Sequence, residues 1–344
     1  MKEWKGFKHG INLGGWLSQC DYSKERLEGF IVEDDFKVIK DWGLDHVRVP
    51  FDYNIIQNEN GELIDDGFKY LDFAVDSCQK VGLNIILDLH KTRGYSFDPG
   101  EGQSGFFDSP SLQESFFKLW EAVARRYKDC DDFVAFELLN EVTDKAFMST
   151  WNLLSADCIS RIRKIAPKTK ILVGGYYNNS VEAVKDLLPP ADENIVYNFH
   201  CYDPLIFTHQ GAPWIATMDT SFRMPIEASL REYSQNSIKM LGYPVSVSGK
   251  VLDNDSKSLD STYFERLFKE AVQVSNDRNA YLYCGEYGVI NLVNTKDTLA
   301  WYKMISEIFE KYNIGRAAWS YKEMDFGLSD GHMDEVREEI LKLM

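Results

Sequence analysis

The feature that most constrains this chain is a repeated alternation of short, nearly continuous apolar runs with longer amphipathic stretches. Eight β-branched or aromatic runs can be marked: 10–16 (GINLGGW), 46–51 (HVRVPF), 83–90 (LNIILDLH), 133–141 (FVAFELLNE), 170–175 (KILVGG), 195–202 (IVYNFHCY), 280–288 (AYLYCGEYG) and 315–322 (GRAAWSYK). They lack strict polar alternation, which suits strands covered on both faces, as in a parallel sheet. Between most of them apolar side chains recur at helical spacing, over 67–81 (stopping at Gly82), 112–128 (after a Ser-Pro start signal), 151–165 and 295–312. Repeated βα units, most beginning roughly 35–50 residues apart, predict an α/β fold, a (β/α)8 TIM barrel. A doubly wound open sheet would need a phosphate-binding glycine loop after the first strand. GINLGGW does not match G-x-G-x-x-G.

The chain, 1–344, reads as a single barrel domain with one interval too long for a βα loop. Residues 203–257, after the sixth strand, mix Pro, Gly and Ser with short apolar stretches and read as an inserted subdomain. It falls on the C-terminal face of the barrel, where loops build active sites. The alternative is a surface excursion without function.

Polar and aromatic residues at the strand ends carry the chemical signal. They are Arg48, His90, Asn140, Glu141, His200, Tyr202, Glu286 and Trp319, and in a barrel such positions converge on one mouth. Taken singly each has a bland explanation: His90 as a hydrogen-bonded structural residue, Arg48 as an ion-pair partner, Asn140 as a loop cap. Glu141 and Glu286 each close an apolar run, where an uncompensated charge costs several kcal/mol. Glycoside hydrolysis needs such a pair, one carboxyl protonating the leaving oxygen and the other attacking the anomeric carbon or activating water. Arg48 and Tyr202 would keep a neighbouring carboxylate ionised, which favours Glu286 as nucleophile and Glu141 as acid/base. Asn140 suits a hydrogen bond to a sugar 2-hydroxyl, His90 and His200 suit carboxylate or hydroxyl contacts, and Trp319 suits a platform under a pyranose. Glu137, deeper in the same strand, is the rival acid, although its depth favours a structural role.

Other classes fit less well. No H-E-x-x-H, P-loop or G-x-S-x-G occurs, and Asp88 with His90 lacks the H-x-H partner of barrel metal sites, so neither metal nor cofactor is expected. The net charge of −16 disfavours nucleic acid and anionic membrane surfaces as partners. No apolar stretch is long enough to span a bilayer and the first residues lack a signal-peptide pattern, so a cytoplasmic protein is expected unless a leader was trimmed. Six scattered cysteines without metal spacing read as buried free thiols. Aromatic residues make up 14% of the chain, enough to furnish sugar platforms as well as a core.

At these residues the chain resembles family 5 of the glycoside hydrolases. GINLGGW, DHVRVPFDY, LDLH, AFELLNEV, YNFHCYDP, YCGEYGV and AAWSYKEMDF all look like segments of that family, and together they span nearly the whole sequence. Within the family it is most similar to the clostridial endoglucanase C type, a cellulase with a subdomain inserted after the sixth strand. The resemblance implies a retaining double displacement without metal on Glu141 and Glu286, with Arg48, His90, Asn140, His200, Tyr202 and Trp319 around the sugar. It implies β-1,4 or mixed-linkage β-glucans and oligosaccharides as substrate. An exo-acting β-glucosidase or β-1,3-glucanase is the alternative, and a non-catalytic sugar-binding barrel a more remote one. The chain departs from the pattern at Lys91, where endoglucanases of this type often carry a second histidine.

Overall fold

A computed structural model describes all residues 1–344, the side chain of Pro99 excepted. Eight parallel strands close into a barrel: β1 (His9–Asn12), β2 (His46–Asp52), β3 (Asn84–Lys91), β4 (Val134–Glu137), β5 (Lys170–Val173), β6 (Ile195–Cys201), β9 (Tyr281–Tyr287) and β10 (Gly315–Ala318). β10 pairs with β1 to complete the ring. Two further strands, β7 (Ser246–Val247) and β8 (Lys250–Val251), form a separate antiparallel hairpin.

The helices Phe68–Val81, Pro110–Tyr127, Met148–Arg163 and Thr295–Tyr312 lie where the periodicity placed them, within three residues at each end. Gly82 ends the first in the left-handed conformation, φ 71°, which costs glycine no Cβ clash. Their apolar faces pack on the outside of the barrel, with Phe116, Trp120, Trp151, Trp301 and Phe309 fully buried.

The barrel interior is layered. Ile86, Ala135, Leu172, Val196, Tyr283 and Ala317 form an apolar lower layer, closed beneath by Trp4 and Phe7, whose rings stack at 4.0 Å. Side chains alternate along a strand, so the positions two residues further on face the same interior. Those positions include Asp88, Glu137 and Asn198, which with Asn12 and Arg48 make a buried polar layer. The mouth lies above it.

Several strands are shorter than their apolar runs. β4 ends at Glu137, so Asn140 and Glu141 stand beyond it, and Trp319 stands one residue beyond β10. The chain past β4 still follows the sheet, with Leu138 N–H donating to Leu172 O and Asn140 N–H to Leu89 O. Arg48, read as a strand-end residue, lies mid-strand, because β2 runs on to Asp52.

Residues 203–257 hold a short helix Leu205–Thr208, a helix Leu230–Leu241 and the β7–β8 hairpin, before the helix Ser261–Asp277. Ser229 and Glu232 close a capping box on the second of these helices. All six cysteines are free; Cys78, Cys158, Cys201 and Cys284 are buried, while Cys20 and Cys130 are only partly so. No helix is long and apolar enough to cross a membrane.

Candidate active site

Two irregularities in strand pairing aim side chains into the mouth. Between β6 and β9 the register passes from Phe199↔Cys284 to His200↔Glu286, which leaves Gly285 as an extra residue. A bulge of this kind turns the next side chain inward. A Cβ on Gly285 would sit 2.7 Å from Asn198 Oδ1 and 3.1 Å from His200 Nε2, so glycine is the residue that fits. Between β2 and β3 the register skips likewise at His90.

Arg48 is the hub beneath the mouth. Its Nε and Nη2 donate to the two oxygens of Glu137 at 2.7 and 2.8 Å, a bidentate pair. Nη1 donates to Glu286 Oε1 at 2.8 Å and to Asn12 Oδ1 at 2.8 Å. Nη2 also donates to Asn140 Oδ1 at 2.9 Å. That bond fixes the Asn140 amide and leaves its buried Nδ2 without a protein partner.

The two expected carboxylates meet above this hub. One carboxylate oxygen of each, with one nitrogen of His200, forms a group whose members all lie within 4.8 Å of one another. Glu286 accepts from Arg48 through Oε1 and from the Tyr202 hydroxyl through Oε2 at 2.9 Å. The hydrogen-bonding partners of Glu141 are both neutral. The Asn178 amide donates to Oε2 at 2.9 Å, and His200 Nδ1 lies 2.8 Å from Oε1. Burial pushes both carboxyls up to about 7, and in each case hydrogen bonds and Arg48 pull in the opposite direction. Two negative charges this close do not form together readily, so the pair titrates as a unit. The carboxylate bound directly by the guanidinium, Glu286, is the one that ionises first. Burial also holds His200 down, to about 4, so its imidazole is neutral near pH 7.

The same three residues are the group among those described whose spacing could hold a metal ion. Their oxygens already receive Arg48, Tyr202 and Asn178, and a cation beside Glu286 would face the fixed guanidinium charge.

Trp319 lies parallel to His90, ring centroids 5.7 Å apart and planes 2° apart. A second aromatic run leads outward from Tyr202 through His209, at 5.0 Å, to the half-exposed Trp214, at 6.0 Å from His209. Seven of the eight residues marked in the sequence therefore gather around one mouth, with Arg48 directly beneath it.

Three neighbours were not marked. Asn178 belongs to a run, Tyr177–Asn179, with φ values of 50–57°, a conformation that asparagine tolerates better than most residues. The Asn pair after the fifth strand was the available signal. Tyr95 donates to Glu141 O at 2.7 Å and accepts from Thr143 N–H at 2.9 Å, which staples Glu141 in its own left-handed conformation, φ 42°. Asn12 holds Arg48 from the first strand. Nothing local in the sequence singles out Tyr95 or Asn12. Glu137, the rival acid, is fully buried against Arg48 and Asn198 and does not reach the mouth.

A closed (β/α)8 barrel with a carboxylate pair at the C-terminal mouth defines the class, an O-glycosidase of the paired-carboxylate kind. Residues 4–325 match the family model of cellulase, glycosyl hydrolase family 5. The chain is 48% identical over 316 residues to cellodextrinase A of Ruminococcus flavefaciens, covering 92% of this chain and 86% of that one. It is 34% identical over 345 residues to endoglucanase C of Acetivibrio thermocellus, covering 98% of each. Among solved structures, the clostridial cellulose synthase subunit Z of Clostridioides difficile superposes with a TM-score of 0.75 at 26% identity, covering 98% of this chain and 99% of that one. Thermotoga maritima Cel5A shares the fold, with a TM-score of 0.76 at 23% identity and 98% coverage of each chain. The chain belongs to glycosyl hydrolase family 5, and it is a retaining O-glycosyl hydrolase.

Proposed function

We propose that this enzyme cleaves β-1,4-glucosidic bonds in β-1,4 or mixed-linkage glucans and their oligosaccharides, with Glu286 as nucleophile and Glu141 as acid/base. One observation carries the assignment: the carboxylates approach to within 4.8 Å, and only Glu286 is bound by Arg48 and Tyr202. Carboxyl groups about 5–5.5 Å apart suit covalent catalysis, whereas an inverting pair stands further apart to admit a water between.

In the first step Glu286 attacks the anomeric carbon and the Glu141 proton passes to the leaving glycosidic oxygen. This leaves a glycosyl ester on Glu286 and an ionised Glu141. In the second step Glu141 takes a proton from water, the water oxygen attacks the same carbon, and the ester bond to Glu286 breaks. Asn140, held through its carbonyl by Arg48, offers its Nδ2 to the 2-hydroxyl. Trp319 and Trp214 offer apolar faces to pyranose rings, and the segment 203–257 walls the Trp214 end of the cleft.

A second reading is exo-action on oligosaccharides; the name cellodextrinase borne by a relative 48% identical favours short cello-oligosaccharides as substrate. Product analysis over time on cellohexaose and mixed-linkage glucan separates the two. Early mid-length products with a fast fall in viscosity support endo-action. Glucose or a disaccharide released from one end replaces it with the exo reading, and inertness on both substrates overturns the β-1,4-glucan assignment.

A further inference from the structure

The hydrogen count around Arg48 leaves one buried carboxylate unserved. A guanidinium has five N–H groups. All five are used: Nε on Glu137, Nη1 on Asn12 and Glu286, Nη2 on Glu137 and Asn140. Asp88 Oδ2 lies 3.0 Å from Nη2 but receives no hydrogen from it. Its one hydrogen-bonding neighbour is His90 Nδ1, at 2.6 Å. Asp88 Oδ1 is buried and has no partner at all. An ionised carboxylate in that position would have one oxygen bare in a fully buried site, which is costly.

The charge count points the same way. Arg48 is the single cation in contact with three buried carboxyls, those of Asp88, Glu137 and Glu286. The other titratable groups facing Asp88 are the carboxyls of Asp52 at the end of β2 and Glu141 beyond β4, neither of which brings it a positive charge. Lys91, beside His90, is paired with Glu101. His200 across the mouth is neutral near pH 7. Burial raises the Asp88 carboxyl to about 7 and lowers the His90 imidazole well below its usual range.

We propose that Asp88 and His90 act as a neutral pair that holds two protons between them in the resting enzyme, making Asp88 a positioning residue for catalysis. With two protons shared, one bridges Asp88 Oδ2 and His90 Nδ1 and the other sits on His90 Nε2. His90 then presents a hydrogen-bond donor at Nε2 to a sugar hydroxyl beside Trp319. With one proton, it would present an acceptor and the pair would carry a full negative charge. Withholding that charge leaves Arg48 shared by two anions rather than three, so the guanidinium retains its pull on Glu286.

A neutron diffraction map of the wild-type enzyme near pD 6 tests the proton count directly and does not depend on the reaction assigned above. The expected map shows density for a deuteron between Oδ2 and Nδ1 and a second on Nε2. A single deuteron on Nδ1 with Nε2 bare overturns the proposal. The kinetic arm rests on the assignment of Glu286 as nucleophile and uses the acid limb of kcat/KM against pH. Asp88→Asn replaces a neutral acid by a neutral amide, so the acid limb stays in place whatever the change in the height of the profile. Glu137→Gln removes a true charge from Arg48 and moves the limb to lower pH, which establishes that the profile senses this layer. A downward move of about one unit or more in Asp88→Asn means that Asp88 was ionised and refutes the proposal.

Discussion

The hydroxyl of Tyr202 makes one of the two contacts that distinguish Glu286 from Glu141, so its removal tests the role split. Tyr202→Phe keeps the ring between His209 and Phe326, at 5.0 and 5.8 Å, and deletes only the donor to Glu286 Oε2. A hydrogen bond to a charged group contributes about 1.5–3 kcal/mol. It favours the ionised carboxylate, so its loss raises the Glu286 pKa, by about 1–2 units at 1.36 kcal/mol per unit. Burial already places Glu286 and Glu141 together at about 7. Raising Glu286 therefore depletes the productive state, Glu286 ionised with Glu141 protonated, by about 10–100-fold. The assay is kcat/KM against pH on an aryl β-glucoside, with circular dichroism as the check on folding. The expected result is an acid limb shifted upward and a lower maximum. A folded variant whose acid limb is unmoved, or displaced to lower pH, refutes the reasoning.

Asn178→Ala removes a donor that favours ionised Glu141, so the base limb of kcat/KM moves up by about one unit; an unmoved limb contradicts a direct contact in solution. Glu141→Gln tests linkage. The folded carboxyl, at about 7, lies above its ordinary 4.5, so its contribution to stability is full below that ordinary value and is lost as pH rises through the folded one. The variant, neutral throughout, should gain up to about 3 kcal/mol over wild type between pH 5 and pH 8 in urea unfolding, and a constant gap argues against the raised pKa. Glu286→Ala should lose turnover while remaining folded and recover activity with azide, yielding the inverted glycosyl azide; wild-type activity in that variant contradicts its role. Glu141→Ala should lose far more activity on substrates with poor leaving groups than on activated aryl glycosides, and equal losses on both count against the acid role.

The barrel and its mouth were legible because both depend on local patterns. Near-continuous apolar runs mark strands covered on both faces, and a polar residue that interrupts such a run at its end needs a partner. Glu141 and Glu286 stand out in the sequence for that reason. The polar layer below them did not, because Asp88, Glu137 and Asn198 face one another only once three different strands are brought into register. The bulges at His90 and Gly285 belong to pairing between strands, and neither strand alone reveals them. Tyr95 and Asn178 act on Glu141 from 46 and 37 residues away through a staple and a left-handed turn. Their chemistry is common to many loop residues, and only the closed barrel brings them to the acid. The last residues of several apolar runs proved to be loop, because pairing ends where the mouth opens.

The central claim, covalent catalysis through Glu286, is tested most directly by trapping. The enzyme is incubated with an activated 2-deoxy-2-fluoro-β-glycoside of glucose or cellobiose, digested, and its peptides are measured by mass spectrometry. The account requires a mass increase of one fluoroglycosyl unit on the peptide containing Glu286, with loss of activity in step with labelling. A label on Glu141, or full turnover with no label and a product of inverted configuration, contradicts it.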